Sequence, residues 1–167
     1  MKTLILTEKP ETAGDMAKGL DVPTETNAGW YESDEYVVTW AFGHLLELCP
    51  PEDYDPRYKK WDLAFLPIIP DTFRYRVARH PKQLKIVREH VGRADIDRIV
   101  LATDAGREGE LIGRLILEHL GVDKPLWRFW MSAAWHPVTI REGFARLRPA
   151  RDFDPLFRAA LARQQAD

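Results

Sequence analysis

Apolar residues along this chain switch repeatedly between two spacings. Thr3-Leu4-Ile5-Leu6-Thr7 is a short run without alternation, which predicts a first strand, residues 3–7, buried on both faces. After Pro10, residues Ala13, Met16, Ala17 and Leu20 fall at i, i+3, i+4, i+7, the one-faced spacing of an amphipathic helix. Pro10 suits the first turn of that helix, where a missing N–H loses no partner. Tyr36 to Phe42 is aromatic and β-branched and predicts a second strand, turned at Gly43-His44. Residues 50–81 hold six of the twelve prolines, which predicts an irregular excursion with at most short elements. Lys82 to Val91 predicts a helix with Leu84, Val87 and Val91 inward, ended by Gly92. Arg98 to Ala102 is a compact apolar run of the central-strand type, and Thr103 to Gly109 a polar, glycine-bearing loop. A helix from about Arg107 to Leu120 carries Leu111, Ile112, Leu115 and Ile116 on its apolar side and stops at Gly121. Leu126 to Met131 predicts a further strand, and residues 137–147 and 153–166 two further helices.

Strands alternating with helices predict an α/β fold, a three-layer sandwich with a mainly parallel central sheet. In such sheets sites lie beyond the C-terminal ends of the strands. Two of the predicted strand ends carry carboxylates, at Thr7-Glu8-Lys9-Pro10 and at Thr103-Asp104-Ala105-Gly106-Arg107-Glu108-Gly109-Glu110. If those strands are neighbours, Glu8 and Asp104 stand side by side at one edge of the sheet.

Composition narrows the classes. The 167 residues suit one domain, and 45% hydrophobic against 30% charged is a globular balance with material for a core. The longest apolar runs fall far short of a bilayer span, and the N-terminal run is shorter than a signal-peptide core, so a cytoplasmic protein with no membrane partner is expected. The single cysteine, Cys49, excludes an internal disulfide framework and a thiolate metal cluster. A net charge of −2 excludes a chain that is basic throughout. From Arg128 to Arg163, however, seven arginines face Glu142, Asp152 and Asp154, which reads either as a solvated helix face or as a strip for a phosphate backbone.

Two carboxylates pushed together repel each other, and a hard divalent cation such as Mg²⁺ removes that cost while keeping several waters. Glu108, four residues after Asp104, falls in the first turn of its helix and can point back to the same edge; Glu110 points elsewhere round the helix. The same residues also have a structural reading, as caps and as partners of the helix macrodipole. Lys9 reads as a group that neutralises charge on a phosphate or as an exposed lysine, and Arg107 as a phosphate contact or an ion-pair partner.

At these residues the chain resembles a known family. Leu4 to Pro10 looks like the opening strand and loop of type IA DNA topoisomerases. Ala41-Phe42-Gly43-His44-Leu45-Leu46-Glu47-Leu48 is similar to their Gly-His-Leu segment, and Ala102 to Ile112 resembles the TOPRIM acidic signature. Arg128 to Ala133, Ile140 to Phe144 and Ala159 to Asp167 are similar to later segments of topoisomerase III-like members. The resemblance covers essentially the whole chain in order. It implies a TOPRIM (Rossmann-like) domain over residues 1–150, with residues 151–167 starting the helix that leads into a following domain.

It further implies an ATP-independent isomerase that cuts one DNA strand by attack of a tyrosine, passes a strand and reseals the gap. Glu8, Asp104 and Glu108 would be the Mg²⁺-linked acids, Glu8, Lys9, Asp104 and Arg107 the catalytic set, single-stranded DNA segments the partner, and a helicase a candidate second partner. Two departures stand out. Gly106 occupies the middle acidic position of the family's Asp-x-Asp-x-Glu pattern, so one ligand is missing. Trp135-His136 interrupts the Ser-Ala-Leu-Thr-Pro-like stretch before Pro137. None of Tyr31, Tyr36, Tyr54, Tyr58 and Tyr75 lies in the context of the family's nucleophile, so these read as core or surface aromatics and the chain as a piece of a longer enzyme, inactive alone. Two other classes compete: a stand-alone TOPRIM nuclease or primase-like phosphotransferase, and a non-catalytic nucleic-acid-binding module that uses the arginine strip and the six tryptophans.

Overall fold

The computed structural model describes residues 1–25 and 28–167. In chain order the main elements are β1 (Lys2–Thr7), α1 (Pro10–Gly19), β2 (Trp30–Glu32), β3 (Tyr36–Trp40), β4 (Leu46–Leu48), β5 (Tyr75–Val77), α2 (Pro81–Val91), β6 (Ile96–Ala102), α3 (Arg107–His119), β7 (Leu126–Arg128), α4 (Pro137–Phe144), β8 (Arg148–Pro149) and α5 (Asp154–Ala166). Six strands form one sheet in the order β2-β3-β1-β6-β7-β8, and β4 and β5 pair separately. β1 runs parallel to both neighbours, β3 and β6, and β6 runs parallel to β7. The antiparallel pairs in this sheet are the two short edges, β2 on β3 and β8 on β7. The expected mainly parallel α/β sandwich is therefore the fold.

The lack of alternation in β1 has a direct cause. Leu4 and Leu6 point into one core with Leu84 and Val87 of α2 and Leu115 and Ile116 of α3, while Ile5 points into another with Ala13 and Met16 of α1 and Ile140 of α4. All three β1 residues are fully buried. A strand covered by helices on both faces has no solvent side to carry polar residues.

β1 lies where the strand order reverses: the chain leaves it for β3 on one side and returns to β6 on the other. Such a switch point opens a crevice at the C-terminal strand ends. The register brings those ends level, with Thr7 opposite both Trp40 and Ala102.

Differences from the sequence reading are local. The strand from Tyr36 ends at Trp40, because Phe42 and Gly43 turn to positive φ, 121° and 71°. The strand from Leu126 ends at Arg128, since past Phe129, whose N–H still reaches the Leu101 carbonyl at 2.8 Å, the chain loses its neighbour. The excursion is framed by β4 and β5 and contains three one-turn 3-10 helices, Pro51–Asp53, Pro56–Lys59 and Leu63–Phe65. Trp61, within this excursion, is 81% exposed. Among the described residues no helix is long and apolar enough to cross a membrane.

At the opposite end of the sheet from the crevice, Arg93 donates to both carboxylate oxygens of Glu32, at 2.9 and 2.6 Å, and to Asp95 at 2.9 and 2.7 Å. Lys2 Nζ adds a bond to Glu32 at 2.6 Å. This network fastens β2, the start of β1 and the turn before β6. The Arg93 guanidinium is the main reason that Glu32 is held down at about 2, well below the usual carboxylate range. A depressed pKa contributes stability above the ordinary carboxylate pKa and loses it as the pH falls toward the folded value. Urea unfolding of the parent and of Glu32→Gln is expected to show a stability gap that is widest above about pH 5 and narrows steadily toward pH 2; a gap independent of pH would contradict the assignment.

Candidate active site

Glu8 follows the last residue of β1, and Asp104 follows β6 by two residues. The level strand ends bring them together: the Asp104 N–H donates to Glu8 Oε2 at 3.3 Å. Glu8 is buried, at 7% exposure, whereas the Asp104 side chain is half exposed. Lys9 Nζ lies between the carboxylates, 3.4 Å from Glu8 Oε1 and 3.4 Å from Asp104 Oδ2. Glu8 first and Asp104 second push the Lys9 pKa above its ordinary value, so the ammonium stays charged at neutral pH. Lys9 is also held through its backbone, which caps α1: its carbonyl accepts the Ala13 N–H at 3.0 Å and the Thr12 hydroxyl at 2.9 Å.

Beyond Ala102 the β6 chain has carbonyls that no neighbouring strand can satisfy. Arg128 on β7 satisfies them. Its Nη1 donates to the Thr103 carbonyl at 2.9 Å and its Nη2 to the Asp104 carbonyl at 2.8 Å, and Nη1 also lies 3.2 and 2.7 Å from the carbonyls of Leu101 and Phe129. Its Nε donates to Glu110 Oε2 at 2.7 Å. Both side chains of this ion pair are fully buried. Burial pulls the Arg128 pKa down, and the charge of Glu110 opposes that pull. Glu110 also meets Arg114, 3.4 Å away, which reaches on to Asp154 at the start of α5 at 2.7 Å. One carboxylate on α3 thus ties β7, the acidic turn and α5 together. Arg128 therefore cannot belong to a solvent-facing phosphate strip, and that part of the sequence reading is corrected.

The acidic turn folds tightly onto the start of α3. Thr103 Oγ1 donates to the Gly109 carbonyl at 2.7 Å. A Cβ on Gly109 would stand 2.1 Å from the Asp104 carbonyl oxygen, so only glycine permits this approach. Gly106 is different: its φ of 165° is ordinary extended backbone, and a Cβ there would meet nothing within 4 Å.

Glu108 and Arg107 are exposed in the first turn of α3 and line the same cleft as Glu8 and Asp104. Glu108, however, hydrogen-bonds His44 rather than joining the other two acids. Among the described residues no group of three potential ligands is close enough to hold a metal ion. His44 is placed by the turn after β3, where the Phe42 and Gly43 N–H groups both donate to the Glu8 carbonyl at 3.1 Å. Trp135 packs on Phe129 at 5.4 Å, and the His136 N–H bonds Thr139 Oγ1 at 3.0 Å to open α4, so the departure before Pro137 is accommodated structurally.

Sequence reasoning named Glu8, Asp104, Arg107 and Glu108, which line one cleft, and Lys9, which contacts Glu8 and Asp104, but missed the supports Arg128, Glu110 and His44. A signal existed for the first pair: an arginine inside the apolar run Trp127-Arg128-Phe129 and a glutamate beside Leu111 need each other if both are to be buried. Arg128→Ala would leave the Glu110 charge without its main partner, and a loss of roughly 3–5 kcal/mol in urea unfolding is expected. Substitution of the exposed Arg146 should cost less than about 0.5 kcal/mol. Equal losses in the two variants would show that Arg128 does not support the turn.

Comparison with known proteins agrees with this architecture. Residues 3–129 match the Toprim domain family. DNA topoisomerase 3 of Bacillus cereus (strain ATCC 10987 / NRS 248) is 42% identical over 167 residues, covering 99% of this chain and 23% of that protein. DNA topoisomerase 3 of Staphylococcus haemolyticus (strain JCSC1435) is 45% identical over 168 residues, covering 100% and 23%. The chain thus spans about a quarter of the length of these relatives. Among solved structures, full-length topoisomerase I from Thermotoga maritima shares the fold, with a TM-score of 0.63 and 21% identity over 97% of this chain and 23% of that one. With a family match over most of its length, this chain belongs to the Toprim domain family.

Proposed function

We propose that the chain supplies the metal-carboxylate half of a type IA DNA topoisomerase, an enzyme that cuts, passes and reseals single DNA strands by tyrosine transesterification. The observation that carries this reading is the meeting of Glu8 and Asp104 around the positive charge of Lys9. Two carboxylates sharing one cation suit a hard divalent ion, and the ammonium between them marks where positive charge is favoured. Glu8 and Asp104 would hold Mg²⁺, with Glu108, on the same cleft wall, as the third acid. The ion, when bound, neutralises charge on the scissile phosphate.

The chain's own residues do the rest. Lys9 donates to a phosphate oxygen as negative charge builds on it, and Arg107, free of any ion pair among the described residues, orients the same phosphate. The amides of Phe42 and Gly43 grip the Glu8 backbone carbonyl and the Asp104 N–H meets its carboxylate, so Glu8 is positioned before substrate arrives. In the reaction a tyrosine oxygen replaces a sugar oxygen on phosphorus, and the reverse exchange reseals the strand. A single DNA strand is the proposed substrate, and the resemblance adds a helicase as a second partner.

Calorimetric Mg²⁺ titration tests the acid assignments. Glu8→Ala and Asp104→Ala are each expected to weaken binding on the order of 10–100-fold, at least what loss of a supporting group costs a metal site. Gly106→Asp is expected to strengthen it, because the position has room for a side chain. Unchanged titrations in both alanine variants would remove the metal reading.

The cleft lining includes no tyrosine among the described residues. Incubated alone with a supercoiled plasmid and Mg²⁺, the 167-residue chain is expected to give neither relaxed product nor a covalent protein–DNA adduct in a denaturing gel. An adduct would place the nucleophile within this chain, and metal-dependent nicking without one would favour a hydrolytic nuclease instead.

A further inference from the structure

The excursion between β4 and β5 is a long loop with a built interior. Its base is clipped by the β4–β5 pair and by the Cys49 N–H donating to the Arg74 carbonyl at 2.8 Å. Inside it, the Arg74 guanidinium covers the Tyr54 ring at 4.6 Å, the Arg74 N–H donates to the Tyr54 hydroxyl at 2.8 Å, and Tyr58 meets Phe65 edge to face at 5.6 Å. Loops of this length with so little regular structure are usually functional or disordered, and these internal bonds argue for an ordered one.

The loop nevertheless leaves its largest side chain outside. Trp61 stands between two one-turn helices, Pro56–Lys59 and Leu63–Phe65, and is 81% exposed, with Leu63 beside it at 70%. An exposed apolar patch of this kind on a soluble protein marks a contact surface. Its neighbours indicate the partner. Lys59 and Lys60 are exposed and form no salt bridge among the described residues. Of the two acids nearest in sequence, Asp55 accepts the Arg57 N–H at 2.9 Å and pairs with its guanidinium at 3.1 Å, while Asp62 accepts the Ala64 N–H at 2.9 Å and keeps its charge, so residues 55–62 set Arg57, Lys59 and Lys60 against two carboxylates. An exposed indole directly preceded by two exposed lysines, in a segment with an excess of positive charge, is complementary to an unpaired base and its adjoining phosphates.

We propose that Trp61, Lys59 and Lys60 form a stacking platform for single-stranded DNA, apart from the acid cleft. The proposal rests on the DNA reading above but requires neither metal nor cleavage, and its test is run in EDTA so that the two can fail separately. Anisotropy of a labelled oligothymidine with the 167-residue chain at low salt is the measurement. Trp61→Ala is expected to weaken binding roughly tenfold, the range of one base–aromatic stack, while Trp61→Phe keeps most of the affinity. The double variant Lys59→Ala/Lys60→Ala is expected to weaken binding and to flatten its salt dependence. Circular dichroism spectra matching the parent's would show that the variants are folded, as expected for side chains this exposed. Affinity unchanged in Trp61→Ala, or no measurable binding by the parent, would overturn the proposal and leave the patch as a protein-binding surface.

Discussion

A guanidinium buried without water has to find an acceptor for each of its nitrogens, and much of this structure follows from how Arg128 does so. Its acceptors are the Thr103 and Asp104 carbonyls past the end of β6, the carbonyls of Leu101 and Phe129, and one carboxylate from the first turns of α3. The result is a joint in which a strand end, a tight turn and a helix start cannot move independently. Exchanging such an ion pair for apolar residues can leave stability unchanged, but removing one partner strands a charge. Here the exchange would also remove the donors that hold the acidic turn, so apolar packing could not replace what the arginine does. Trp130 adds a lid, with its ring 5.0 Å from the guanidinium and stacked on Phe153 at 4.9 Å.

The central elements were legible in the sequence because their signals are local. Uninterrupted apolar runs at 3–7 and 98–102 and one-faced spacing after Pro10 and Arg107 each report a burial that holds for the whole element. The edge strands β2, β5 and β8 are two or three residues long, too short for any period to register, and β5 finds its partner β4 only across the excursion. The ends of the strands from Tyr36 and Leu126 were overestimated for a related reason. Phe42, Phe129 and Trp130 are good strand residues whose places are decided by where the neighbouring strand stops, not by their own preference.

The acid pair was legible for a topological reason: carboxylates after two central parallel strands must meet if those strands are neighbours. What surrounds them was not, because charge pairing is non-local. That Glu108 takes His44, that Glu110 takes Arg128 and that Lys9 lies between Glu8 and Asp104 are choices among partners distant in sequence, and spacing says nothing about them. Arg128 shows the same limit from the other side. In sequence it heads a row of arginines, and in the fold it is the one that water never reaches.

Two glycines three residues apart in the acidic turn have opposite freedoms, and this sets what the turn could become over evolutionary time. Gly109 is locked, since any side chain would collide with the backbone of Asp104, whereas Gly106 sits in open space on ordinary backbone. The number of carboxylates the turn presents can therefore change by one codon without repacking anything beneath it. A lineage could gain or shed an acid there while the fold registers no difference, and the charge offered to a phosphate becomes a property that drifts or is selected apart from the stability of the domain.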